Sequence, residues 1–218
     1  MIAAVDAVRP AGVGTVLRRA VRDFYEESWR LVILNSLLSA YVLAVLGLAV
    51  YAPWALLLLV GVGPLAAALV SAAVIVVETG SLTIGEVTGS VRRCWRRGVA
   101  LSALVVFVAV ATVAALQFYV TGSTLSWPLA VLVIYLTGIF AVYQLVLWPL
   151  AVRDVERPLR EVAAEAGIVL LRRPVAALGL ALALLLVNLV GLAAAVLPFL
   201  TLTPAYSALA AARFVRGA

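Results

Sequence analysis

The chain has 218 residues, 66% of them hydrophobic and 12% charged, with 16 arginines, no lysine, no histidine and a net charge of +6. That scarcity of charge, with a mean hydropathy of +1.20, excludes an ordinary soluble domain, in which about a quarter of residues are charged. A single cysteine excludes an intrachain disulfide and a cysteine-based metal cluster.

The first thirty residues hold five arginines (9, 18, 19, 22 and 30) and no long apolar core, so no cleavable signal peptide is expected. Within them Leu17, Val21, Phe24 and Tyr25 are spaced as one apolar helix face. Arg19, Arg22, Asp23 and Glu26 fall on the polar side. Ion pairs of Arg19 with Asp23 and of Glu26 with Arg30 are expected, each contributing a few tenths of a kcal/mol.

From Leu31 to Val77 there is no charged residue. A membrane span needs roughly 20 apolar residues to cross about 30 Å of hydrocarbon, so this run holds two. The break "YAPW", Tyr51 to Trp54, divides it into spans near 31–52 and 54–77. Tyrosine and tryptophan favour the membrane–water boundary, and proline interrupts helices.

"SVRRCWRRG", Ser90 to Gly98, follows with Arg92, Arg93, Arg96 and Arg97. Val87, Val91, Cys94 and Trp95 repeat the spacing of the first apolar face, and Cys94 reads as a small apolar filler. A second uncharged run, Gly98 to Val152, is divided by "VTGSTLSWP" into spans near 99–120 and 127–150. Arginines 153, 157, 160, 172 and 173 come next, and Val162, Ala166, Val169 and Leu170 give the same face a third time.

The last uncharged run, Pro174 to Ala212, admits two readings. A turn within Gly191 to Pro198 gives spans near 175–193 and 197–213. One long helix kinked at Pro198 and Pro204 would instead leave the C-terminus outside. Charge selects the first, because with six spans all 16 arginines share one side, and basic residues near span ends stay in the cytoplasm. The expected fold is therefore all-α: a polytopic membrane bundle of six transmembrane helices arranged as three hairpins, each preceded by a cytoplasmic amphipathic helix. It forms a single domain, 1–218, with repeat units at 15–77, 83–150 and 156–213. Both termini are cytoplasmic, and the expected location is the bacterial inner membrane. "SVRRCWRRG" then reads as a topology signal and not as a nucleic-acid site. Its arginines, with Arg172 and Arg173, form a basic cytoplasmic face suited to anionic lipid headgroups, at about 1 kcal/mol per basic residue.

Four intramembrane amides stand out, because polar groups in lipid must find partners. Asn35 and Gln144 lie at matched depth near the inner boundary, and Gln117 and Asn188 near the outer one. Two interhelical bonds, Asn35 with Gln144 and Gln117 with Asn188, would contribute about 0.6–2 kcal/mol each and fix register. Alternatively the amides line a solute path. The small residues Gly47, Ala66 to Ala68, Ser71, Gly138, Gly179 and Ala193 to Ala195 suit close helix packing.

Catalytic chemistry has little to work with. The ten carboxylates, Asp6, Asp23, Glu26, Glu27, Glu78, Glu86, Asp154, Glu156, Glu161 and Glu165, all fall in cytoplasmic segments. Glu161 and Glu165 share a helix face with Arg157 and Arg160 near them, an ion-paired surface. No catalytic residue, metal ligand or cofactor is expected.

Several passages resemble the YesL-like family of small bacterial integral membrane proteins. They are "RLVILNSLL" around Asn35, "GPLAAAL" from Gly63 to Leu69, the inner helix "VRRCWRRG", and "LWPLAVRDVERPLREV", which is followed by Arg172-Arg173-Pro174. The resemblance implies a bacterial inner-membrane protein encoded near carbohydrate uptake and degradation genes, without an established activity. A looser likeness, in basic helices joined to hairpins, is to the membrane domain attached to some glycerophosphodiester phosphodiesterases. The function expected is a non-enzymatic accessory or scaffold protein whose partners are membrane lipids and a second protein or a second copy of the chain, with no nucleic acid. The alternative is a small transporter or channel subunit for a neutral solute. A lipid-modifying enzyme is disfavoured by the missing acid–base groups.

Overall fold

The description covers residues 12–121, 126–194 and 196–217 of a computed structural model, excluding the side chains of 27, 28, 194 and 196–201. Asp6, Arg9, the Glu27 side chain and the centre of the turn before Trp127 lie outside it. The chain is all-α, with no strand among the described residues. The helices are α1 (Val13–Tyr51), a 3-10 helix (Pro53–Gly61), α2 (Val62–Thr79), α3 (Ile84–Val120), α4 (Trp127–Arg153), α5 (Leu159–Arg172), α6 (Pro174–Ala194) and α7 (Val196–Arg216). Among the described residues, five helical stretches are long and apolar enough to cross a membrane: Trp29–Tyr51, Pro53–Thr79, Ile84–Val120, Trp127–Arg153 and Pro174–Ala193. Large apolar side chains such as Phe107, Ile134, Leu186 and Val190 are exposed on the outside, as in a helical membrane bundle.

Local chemistry sets the ends. Pro53 opens the 3-10 helix, and Pro64, which has no N–H, sits in the first turn of α2, where a missing donor costs least. Gly80, at φ 80°, ends α2 in the left-handed region where glycine carries no steric penalty. Thr83 then starts α3 through a capping box: its backbone N–H donates to Glu86 at 2.7 Å, and the Glu86 N–H donates to the Thr83 hydroxyl at 3.3 Å. The breaks after Tyr51 and near Trp127 fall where the sequence places them.

The three amphipathic segments are helical, and two of them continue into the following span. Those near 15–30 and 83–97 are the first turns of the long helices α1 and α3, and only the third, α5, is a separate helix. In α5 the expected face is the packed one: Val162 and Ala166 are buried, and Val169 and Leu170 lie against the core. In α1 the buried set is Val16, Ala20 and Asp23, whereas Val21 and Tyr25 are exposed. In α3 it is Ser90, Cys94 and Gly98, whereas Trp95 is half exposed. Leu17, Phe24, Val87 and Val91 of the expected faces pack against the core, while small or polar residues (Ala20, Asp23, Ser90, Gly98) share the buried side and Val21, Tyr25 and Trp95 face outward.

The most extensive helix pair is α2 with α3. Ser102 donates its hydroxyl hydrogen to the Leu59 carbonyl (3.1 Å), and Ser71 donates to Ser90 (3.2 Å). Between these points Gly63 lies against Gly98. A Cβ on Gly63 would come within 2.6 Å of the Ser102 Cβ, and one on Gly98 within 2.8 Å of the Pro64 nitrogen. Gly63, Ala67 and Ser71 thus run antiparallel to Ser90, Cys94, Gly98 and Ser102, a stripe of small residues at four-residue spacing that lets the backbones touch. Ala67, Ala68 and Ser71 serve close packing as expected. Gly47 and Gly138 do not, since nothing lies within 4 Å of where a Cβ would stand. A Cβ on Gly179 would only make ordinary contact with Val13.

Candidate functional site

One end of the bundle gathers the arginines, and most of them serve the fold. The Arg97 guanidinium donates to the carbonyls of Ala151 (3.0 Å), Val155 (2.7 Å) and Arg157. It thereby satisfies carbonyls that the end of α4 and the following loop leave without helix partners. Arg153 pairs with Glu78 at 2.9 Å, joining the ends of α4 and α2. Arg216 donates to the Val77 carbonyl, and Arg173 to the Gly217 carbonyl. Arg157 pairs with Glu165 at 2.7 Å, as the ion-paired reading of that surface expects. The hydrogen bond from Arg157 to Glu165, with the carboxylate's charge, pushes the guanidinium pKa further up.

The bond between the two ends of the chain was not foreseen. Arg213 of α7 donates from Nε (2.6 Å) and Nη2 (2.7 Å) to the two oxygens of Asp23 in α1. The side chains are 19% and 5% exposed, so this is a buried, bidentate pair. The expected pair of Arg19 with Asp23 gives way to it. On the outer face of α1, Arg22 lies 3.6 Å from Glu26. Tyr206 also donates to the Leu17 carbonyl at 3.4 Å, so α7 holds the start of α1 at two places.

Arg92, Arg93, Arg96 and Arg172 are exposed at the same end. Arg96 stacks 5.6 Å from the Trp95 ring, a weak exposed cation–π contact. None of the four forms an ion pair among the described residues. Of the six arginines in the expected basic face, Arg97 and Arg173 are therefore partly structural.

The four amides do not pair as expected. Asn35 is fully buried in α1. Both amide atoms of Gln144 are buried and have no hydrogen-bond partner among the described residues, so the direct bond to Asn35 is not formed. Asn188 donates instead to the Leu184 carbonyl (2.7 Å) and to the hydroxyl of Ser207 in α7 (3.2 Å). Gln117 is exposed on α3 and takes no part in that bond. Matched depth identifies partners only for helices that are neighbours; within the spans, α3 and α4 are linked by Thr112 with Thr137, at 2.9 Å.

Gln144 and Asn188 do line a common space. A groove of about 1200 Å³ separates α4 from α6, with α2 and α7 as its floor, and it is walled mainly by apolar residues such as Leu69, Trp148 and Leu178. At the arginine end Pro174 also borders a smaller pocket of about 370 Å³, lined by Gly12, Arg172, Arg173, Val175 and Phe214. Sequence reasoning missed the groove. Its only sequence signal is the outward-facing set Gly138, Ala141 and Leu145 on α4.

Comparison with protein-family models, curated proteins and solved structures gives no match to this chain.

Proposed function

We propose that the chain is a non-enzymatic accessory or scaffold protein of the bacterial cytoplasmic membrane, with six spans as three hairpins and both termini inside. In this reading α7 is the sixth span. It runs from Val196 to Arg216 and carries Thr203, Pro204, Tyr206 and Ser207 among mainly apolar residues. The contacts of Arg173 with Gly217 and of Asn188 with Ser207 bring it alongside α6 in the opposite direction. The YesL-like resemblance, and with it a link to carbohydrate uptake, belongs to the same proposal.

One observation carries the scaffold role. The fold uses up Arg97, Arg153, Arg157, Arg213 and Arg216 in internal bonds, yet leaves Arg92, Arg93, Arg96 and Arg172 exposed on the same end. Such a surface supports docking of an acidic cytoplasmic or membrane partner. The groove is walled mainly by apolar residues, which favours a scaffold over a path for a polar solute. The second reading, a transporter or channel subunit for a neutral solute, draws on the partnerless Gln144 amide in that groove.

Two measurements test the proposal. Photo-crosslinking from position 96 in native membranes should capture one discrete partner, lost when Arg92, Arg93 and Arg96 are all changed to glutamine. Proteoliposomes should pass neutral sugars no faster than empty vesicles. Saturable flux that disappears in Gln144→Leu would replace the scaffold reading with the transporter one.

A further inference from the structure

We propose that the groove and the arginine pocket form one binding site for an anionic phospholipid from the leaflet on the arginine side. The phosphate sits with Arg172 and Arg173, and the acyl chains lie along α4 and α6. The proposal rests on the membrane reading above and names the ligand of that surface. Pro174 borders both cavities, and Leu171, the residue before Arg172, lines the groove, so the arginines stand beside the end of the groove.

Size and charge fit together. The groove follows α4 from Tyr135 to Pro149 and α6 from Pro174 to Asn188, roughly 21 Å along each axis at 1.5 Å per residue. One leaflet's hydrocarbon is about 15 Å deep, half of a 30 Å core, so an extended acyl chain lies within the groove over its whole length. Arg172 is exposed and has no partner among the described residues. Arg173 spends one nitrogen on the Gly217 carbonyl, leaving other donors of its fork available. Among the described residues no acidic one lines the pocket, and the first turn of α6 adds the positive end of its dipole. Trp148, in the groove wall, is a residue type that sits at the level of headgroups. A neutral partner helix would explain the groove but not the arginines beside it. A soluble acidic peptide would explain the arginines but not the groove.

The test is native mass spectrometry of the purified full chain titrated with phosphatidylglycerol or phosphatidylcholine. Phosphatidylglycerol should be retained more strongly. Arg172→Gln should weaken it about five-fold, which corresponds to about 1 kcal/mol per basic residue near the surface, and leave phosphatidylcholine unchanged. Arg172→Lys should keep most of the preference. Leu178→Trp, which fills the groove from an exposed position, should weaken both lipids. Glycerol 3-phosphate should not displace the lipid, because the chains as well as the phosphate are held. Equal retention of the two lipids, an unchanged Arg172→Gln variant, or displacement by glycerol 3-phosphate would each overturn the proposal. So would a lipid-resistant dimer cross-linked through position 178, which would assign the groove to a second copy. The partner captured from position 96 is read separately, so either idea can fail while the other stands.

Discussion

Asp23 and Arg213, 190 positions apart in sequence, form a buried bidentate ion pair that ties the first helix to the last. Breaking a buried pair by removing one partner leaves the other charge uncompensated, at about 3–5 kcal/mol. Asp23→Ala should therefore destabilise the protein by about that much in detergent, read by thermal or denaturant unfolding. Asp23→Ala combined with Arg213→Leu should recover part of the loss. Additive losses in that double variant would show that the pair is not coupled.

Gly63→Ala and Gly98→Ala should each destabilise by about 1–3 kcal/mol, the usual cost of forcing extra volume into a packed interface. The clash is with the facing backbone, which has nowhere to move. Gly47→Ala is the matched control, since its Cβ meets nothing within 4 Å, and it should be neutral or slightly stabilising. Equal effects at all three positions would mean that α2 and α3 do not touch as described.

Arg97→Lys should be nearly as harmful as Arg97→Gln. A lysine ammonium is a point charge and cannot span the three carbonyls that the guanidinium reaches. Hydrogen bonds from a charged donor are typically worth about 1.5–3 kcal/mol each. Limited proteolysis should show faster cleavage between Arg153 and Leu159 in both variants, because the loop loses its anchor. The exposed Arg93→Lys should leave that rate unchanged.

Gln144→Leu should raise the melting temperature in detergent. Its amide atoms are buried without a partner, and an unpaired buried polar group typically costs about 1–3 kcal/mol. The same change at Asn188 should lower the melting temperature, since it removes the bonds to Leu184 and Ser207. A destabilised Gln144→Leu would show that the amide has found a partner in the membrane.

The breaks after Tyr51 and near Trp127 were legible in the sequence because Pro53 and the "SWP" at the start of α4 act locally, and uncharged runs mark apolar helices without reference to neighbours. The packed faces were legible only in part. In water the apolar stripe of a helix is the buried one, a rule that holds for Val162 and Ala166 in α5. In α1 and α3 it holds for Leu17, Phe24, Val87, Val91 and Cys94, which pack against the core, but Val21, Tyr25 and Trp95 point outward, while Ala20 and Ser90 are buried. When the surroundings are as apolar as the core, bulk no longer marks the inside, and close approach does. Asp23 was misplaced for a related reason. Its partner lies at the far end of the chain, and four-residue spacing favours the nearer Arg19. The groove left no periodic trace, being a gap between helices that are apolar on every side.

The attachment of α1 to α7 also has a bearing on biosynthesis. The first turns of α1 bury Val16, Ala20 and Asp23 against a surface completed by Tyr206 and Arg213. While the ribosome is still making the middle of the chain, that surface does not exist, and the Asp23 carboxylate has no guanidinium to meet. The hairpin of α2 and α3, joined by a four-residue loop and a glycine-to-glycine contact, is complete long before. The α2–α3 pair is therefore expected to assemble early, with the first turns of α1 docking only once α7 has been made.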